Sequence, residues 1–220
     1  AIREQVGKVN VVFLCSPGNP TGNLLDHQQI KQVIDMFADS AMVVVDEAYI
    51  EFSPEQTTAS WLSQYPNLIV LRTLSKAFAL AGLRCGFTIA NSDVIKLMAK
   101  VIAPYPVPAP IAELASQALN TNGLAIMQAR VAQTNQLKDD FIAWLNTQSW
   151  CEEVFPSDAN FVLFRTPLKQ QIFDALIARD ILTRDQSKQM QLDNCLRVSI
   201  GSAEELSSVK QTIATMLATA

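Results

Sequence analysis

The sequence predicts a layered α/β fold whose sheet is largely parallel, followed by a smaller α/β domain, and three observations carry that reading. Short β-branched runs alternate with stretches of helical periodicity, the polar turn segments fall just after the strand runs, and four prolines between Pro104 and Pro110 break the pattern near the middle. The first strand is the apolar run Val9 to Cys15. Asp26 and Gln29 form a capping box for a helix whose apolar face is Ile30, Val33, Ile34 and Phe37. Ala41 to Val45, Leu68 to Leu71 and Cys85 to Ala90 are the next three strands, and Asp93 to Val101 has helical spacing. Pro104, Pro106, Pro108 and Pro110 cannot lie in a helix interior and read as a stiff extended connector.

The domain boundary is placed just beyond those prolines, so residues 1–110 belong to a large domain and residues 111–148 are linking helices with Leu137, Phe141, Trp144 and Leu145 on one face. Residues 149–220 form the small domain. Its predicted pieces are strands at Cys151 to Phe155 and Phe161 to Phe164, a helix opened by Thr166 and Pro167, a strand ending at Ser199, and a last helix faced by Leu206, Val209, Ile213 and Met216. No internal repeat or low-complexity tract interrupts this order.

Composition removes several classes of function. The 220 residues are 49% hydrophobic, enough for a substantial core, and the net charge of −4 with scattered Lys and Arg offers no footprint for nucleic acid or anionic lipid. No apolar run approaches the ~18 to 20 residues that cross a bilayer, and the charged start from Ala1 to Asn10 does not read as a signal peptide, so the expected address is cytoplasmic. Cys15, Cys85, Cys151 and Cys195 contain no C-x-x-C pair and His27 is the single histidine, which argues against a metal site and for buried reduced thiols. Ala1 is not an initiator Met and a strand begins soon after it, so the chain reads as cut from something longer.

Chemistry gathers in three segments: S-P-G-N-P-T-G at Ser16 to Gly22, V-V-V-D-E-A-Y at Val43 to Tyr49, and T-L-S-K-A-F-A-L-A-G-L-R-C-G at Thr73 to Gly86. Each alone has a plain explanation, as a turn, a helix-capping carboxylate and a solvated lysine. Together they are harder to dismiss. Lys76 follows Asp46 by thirty residues, room for one crossover between neighbouring strands, and Arg84 follows Lys76 by eight. An amine, a carboxylate, a phenol and a guanidinium then meet at one sheet edge, where open α/β sheets bind their ligands.

This combination, with L-R-V-S-I-G at Leu196 to Gly201, resembles the fold-type I aminotransferases that depend on pyridoxal 5'-phosphate (PLP), and the wording D-E-A-Y-I-E-F with T-L-S-K-A-F-A-L-A-G-L-R-C-G-F is most similar to their histidinol-phosphate branch. The resemblance runs over essentially the whole chain. It implies PLP as cofactor, bonded by Lys76, with Asp46 against the pyridine nitrogen and Tyr49 and Asn19 on the phenolate oxygen. Arg84 clamps the phosphate beside the Ser75 hydroxyl, with Thr73 a second hydroxyl and Gly82 and Gly86 leaving space. Arg197 receives the anionic end of the substrate, and Arg184 is a second candidate for a substrate phosphate. His27 reads as a surface residue. The implied substrates are histidinol phosphate and glutamate or 2-oxoglutarate, handled by a homodimer without nucleic acid or membrane.

The family also places a sizeable segment ahead of the position of Ala1, carrying a stacking aromatic residue, backbone amides for the phosphate, and a tyrosine that reaches the partner subunit. This puts catalysis by the 220 residues alone in question. Two alternatives remain open: a related fold-type I enzyme, such as a threonine-phosphate decarboxylase or an aromatic aminotransferase, and an aminotransferase-like effector domain of a regulatory protein.

Overall fold

The computed structural model of the chain describes residues 2–218. It divides into two compact units, one made of the chain up to Pro17 and from Leu24 to Arg130, the other of Gly18–Asn23 and the chain from Val131 onward.

The first unit holds a four-stranded sheet in chain order: β1 (Val11–Cys15), β2 (Met42–Asp46), β3 (Leu68–Thr73) and β4 (Gly86–Ala90). The first three strands are parallel, and β4 runs antiparallel to β3. The reason lies in the connection: a long stretch containing helix α1 (His27–Met36) joins β1 to β2, whereas only a short, largely irregular segment joins β3 to β4, too little for a helical crossover. Asp26 caps α1, its carboxylate accepting from the Gln29 backbone N–H at 2.9 Å. Helical spacing brings Ile30, Ile34 and Phe37 onto Val43, Val45 and Val70, all buried. Because strand side chains alternate, placing Val43 and Val45 on α1 sends Val44 and Asp46 to the opposite face.

Helix α2 (Ser92–Val101) follows β4, and the predicted helical stretch from Ile111 to Gln148 is in fact two helices, α3 (Ala109–Ala118) and α4 (Thr121–Asn146). The break has a local cause. Asn120 caps α4 by accepting from the Gly123 N–H at 2.9 Å, and a side chain at Gly123 would collide with the Ala118 carbonyl. Helix α4 starts in the first unit and ends in the second.

The second unit contains an antiparallel sheet of order β5 (Glu153–Val154), β6 (Phe161–Arg165), β8 (Cys195–Ser199) and β7 (Arg184–Asp185), with helices α5 (Lys169–Ile177) and α6 (Ala203–Ala218). Phe141 and Leu145 from α4 join Val162, Phe164, Leu196 and Ile213 in its core. Strand β7 went unforeseen because two polar residues carry no hydrophobic alternation. Helix α5 begins at Lys169, after a turn in which Thr166 Oγ1 accepts from the Leu168 N–H at 3.1 Å. The thiols depart from expectation: Cys195 is buried, but Cys85 and Cys151 are partly accessible and Cys15 is exposed at the end of an edge strand. Among the described residues no helix is long and apolar enough to cross a membrane, and no group of three His, Cys, Asp or Glu could hold a metal ion.

Candidate active site

In the first unit, the side chains that leave the α1 core at the carboxyl ends of β2 and β3 meet the turn that follows β3. Asp46 ends β2 level with Leu71 of β3, and its Oδ1 accepts from the Ala48 N–H at 3.0 Å, which fixes the carboxylate at the strand mouth. Tyr49 is buried where the chain enters a short 3₁₀ turn, and the Lys76 Nζ lies 5.1 Å from its ring centre. The Thr73 hydroxyl is 2.9 Å from Ser75 Oγ and accepts from the Ser75 N–H at 3.1 Å, so the two hydroxyls are locked side by side. Arg84 adopts a left-handed backbone conformation at φ 53°, donates from Nη1 to the Ala81 carbonyl at 3.0 Å, and is otherwise open to solvent. Asp46, Thr73, Ser75, Lys76 and Arg84 line one cleft of about 570 Å³, and Tyr49 meets it through Lys76. Burial, followed by the neighbouring Asp46 charge, pushes up the Cys15 thiol at the adjacent strand end.

The two glycines of this segment differ from each other. A side chain at Gly82 would meet open space, whereas one at Gly86 would come within 2.9 Å of the Arg72 carbonyl. Gly86 therefore serves the close approach of β4 to β3.

Sequence reading missed what supports this cleft. Glu47, next to Asp46 but pointing the other way, is fully buried and accepts from Thr57 Oγ1 (2.9 Å), Thr58 Oγ1 (2.8 Å), the Thr58 N–H and Arg72 Nε (2.8 Å). Arg72 also reaches Glu51 Oε1 through Nη1 at 3.0 Å. Burial raises the Glu51 pKa more than Arg72 lowers it. The available signal was an acid at the second position of D-E-A-Y and an arginine four residues before Lys76, both on runs too apolar to leave them unpaired.

The second unit assembles a different group. Arg197, on β8, donates from Nη1 to Asn19 Oδ1, and its guanidinium carbon lies 4.8 Å from the centre of the Phe161 ring. Arg184 on β7 stands directly opposite Arg197 in the ladder, and such cross-strand partners have Cβ atoms roughly 4.5 to 5.5 Å apart on one face. Asn19 is held by its own turn, closed by Gly22 N–H to Gly18 O (2.8 Å) and Gly18 N–H to Asn23 O (2.9 Å). Gly22 takes φ +84°, and a Cβ there would sit 2.6 Å from Ser157 Oγ, so both conformation and space require glycine. The structure thus groups Asn19 with Arg197, and Asp46, Tyr49, Ser75, Lys76 and Arg84 with one another. His27 is half-buried, its ring 4.7 Å from that of Trp61 and its Nε2 2.9 Å from the Gln56 carbonyl oxygen, which gives it a packing role at the start of α1.

Residues 1–213 match the family described as aminotransferase class I and II. The chain is 57% identical over 223 aligned positions to a histidinol-phosphate aminotransferase of Colwellia psychrerythraea, covering 98% of the chain and 60% of that relative. Among solved structures it resembles the histidinol-phosphate aminotransferase from Clostridium acetobutylicum with a TM-score of 0.87 at 24% identity, covering 98% of the chain and 66% of that one. It also resembles the enzyme of that name from Sinorhizobium meliloti in complex with pyridoxal-5'-phosphate, with a TM-score of 0.76 at 23% identity, over 96% of the chain and 58% of the other. The chain spans about 60% of the length of the curated relative.

Proposed function

Because the chain belongs to the class I and II aminotransferases, we propose that it is the catalytic and C-terminal portion of a PLP-dependent enzyme that transfers the amino group between histidinol phosphate and 2-oxoglutarate in histidine biosynthesis. The observation that carries the proposal is the single cleft lined by the Lys76 amine, the Asp46 carboxylate, the Arg84 guanidinium and the paired Thr73 and Ser75 hydroxyls.

Those residues fit the cofactor. A pyridine nitrogen calls for a carboxylate, a phosphate for a guanidinium with hydroxyl donors, and an aldehyde for an amine, and the cleft provides one set of each. When bound, PLP supplies an electron sink for ionisation of the substrate Cα–H bond. In this reading Asp46 would hold a proton on the ring nitrogen and Tyr49 would donate toward the phenolate oxygen, a role the family resemblance also implies for Asn19. Arg84 and Ser75 would hold the phosphate, and Lys76 Nζ would hold the cofactor and, once released by the amino donor, move the proton from the substrate Cα to the cofactor's C4' carbon. The Tyr49 ring beneath Lys76 sets the direction of the amine.

Arg197 and Arg184 give the substrate side. Arg184 stands opposite Arg197 on a strand pair, and two guanidiniums so placed suit a phosphate monoester, with up to two charges, better than a neutral aromatic side chain. This favours histidinol phosphate over an aromatic amino acid, as do relatives named histidinol-phosphate aminotransferase. The reading extends to a cytoplasmic homodimer. Borohydride reduction with PLP followed by peptide mapping tests it: the label is expected on Lys76, with amino transfer from histidinol phosphate to 2-oxoglutarate in the intact enzyme. A label elsewhere removes the cofactor assignment; a labelled Lys76 without turnover of histidinol phosphate removes only the substrate.

A further inference from the structure

Lys138 takes no part in the chemistry described so far, yet it is 95% buried, at the end of α4 that belongs to the second unit. Its Nζ donates to the Ala159 carbonyl at 3.2 Å and to Asn135 Oδ1 at 3.3 Å. Burial lowers its pKa, against the pull of Asp139 and Asp158 in the other direction. An apolar residue would fill this place without the cost of desolvating an amine. What the amine holds is a turn with several duties. Ala159 is fully buried and its N–H donates to Ser157 Oγ at 3.3 Å, and Ser157 Oγ in turn donates to the Phe161 carbonyl. The Asp158 N–H donates to the Gly22 carbonyl at 2.8 Å, which ties the turn to the Asn19 loop. Phe161, at the far end of the turn, carries the Arg197 guanidinium on its ring.

We propose that Lys138 is a positioning residue: from α4 it holds the turn from Ser157 to Phe161, and through that turn it sets both the Asn19 loop and the Arg197 guanidinium in the arrangement that receives an anionic substrate. The inference rests on the reading of Arg197 as an anion-binding residue. Loosening the turn leaves Arg197 in place in the sequence and on its strand but frees its guanidinium from two restraints at once, the Asn19 amide oxygen and the Phe161 ring. A fork that must find its geometry anew on each encounter binds an anion less tightly than one already aimed.

The test uses the whole protein with PLP, in wild-type form and as Lys138→Met and Lys138→Arg, with inorganic phosphate and 2-oxoglutarate titrated calorimetrically and backbone amide exchange followed in parallel. Lys138→Met is expected to weaken both anions roughly tenfold, the loss of one charge-assisted restraint. Exchange at Asp158 N–H should quicken at least about tenfold while Leu163 in the β6–β8 ladder keeps its wild-type rate, which separates local loosening from global instability. Lys138→Arg, whose longer donor still reaches the turn, should recover affinity to within about threefold. Unchanged exchange at Asp158 in Lys138→Met overturns the inference, and so does quickened exchange with unchanged anion affinity. If the wild-type protein binds neither anion, the role given to Arg197 fails and the inference falls with it.

Discussion

The first unit sets its candidate site groups at the carboxyl ends of parallel strands and in the turns beyond them, so Asp46, Ser75, Lys76 and Arg84 converge on one cleft. The second unit sets its arginines across an antiparallel ladder, where Arg184 and Arg197 face each other from neighbouring strands. The charge balance differs in the same sense. In the first unit two carboxylates, Glu47 and Glu51, share the guanidinium of Arg72, and the cleft stands on a compensated foundation. In the second, Arg184 and Arg197 bring two guanidiniums to neighbouring strands of one ladder. A strand-end site can do chemistry because loops bring unlike groups to one point.

That contrast predicts that damage to the first unit removes reaction and damage to the second weakens binding. The largest effect belongs to Lys76→Ala, for which single-turnover amino transfer should fall by about 10⁴-fold or more while phosphate affinity stays within about twofold of wild type. If phosphate affinity collapsed together with turnover, the division of labour between the units would be lost.

Next comes the foundation of the cleft. Glu47→Ala leaves the Arg72 guanidinium and two threonine hydroxyls without their shared acceptor, and should cost about 3 to 5 kcal/mol in urea unfolding. A loss below about 1 kcal/mol would show that Glu51 and water take over the guanidinium. Arg197→Ala should lower kcat/KM by roughly 30- to 1000-fold for the phosphate substrate and the dicarboxylate alike, equivalent to about 2 to 4 kcal/mol. Arg184→Ala should cost roughly tenfold, and for the phosphate substrate only, since a single carboxylate is satisfied by one fork. Equal losses on both substrates for both arginines would mean that the pair acts as one undivided positive patch.

The smallest effect is on pH dependence. Desolvation pushes the Asp185 carboxyl up, but hydrogen bonds from Lys169 and Ser187 outweigh it and hold the pKa at about 2. A carboxyl depressed in the folded state contributes stability that is complete above its unfolded value and is lost as pH falls from there through about 2. Because Asp185 is exposed, the contribution is screened and should stay below about 1 kcal/mol. Comparing urea midpoints at pH 5 and pH 2 for wild type and Lys169→Met measures it: the variant should lose less stability between the two. A variant with the same slope would mean that the Lys169 pair contributes nothing.

The same contrast separates the features that are legible in the sequence from those that are not. Lys76, Asp46 and Arg84 sit in contiguous segments with their turn residues beside them, so spacing and residue type were enough to bring them to one sheet edge. The capping of α1 by Asp26 was legible for the same reason, its partner being three residues away. The antiparallel direction of β4 escaped, although the shortness of its connection to β3 was visible. The division of the long helical stretch at Asn120 escaped as well, because periodicity continues on both sides of the break.

By itself the sequence determined the α/β alternation, the strand-end location of the candidate site and the identity of the groups that meet in the cleft, because these depend on steric preferences and periodicities acting between near neighbours. The tertiary structure alone decided that Arg72 lies between Glu47 and Glu51, that Arg184 stands level with Arg197, that Asn19 bonds Arg197, and that Lys138 ends under the turn carrying Phe161. Each of those joins residues from separate segments of the chain, and strand register and core packing, which no local preference encodes, choose among the many partners such residues might have had.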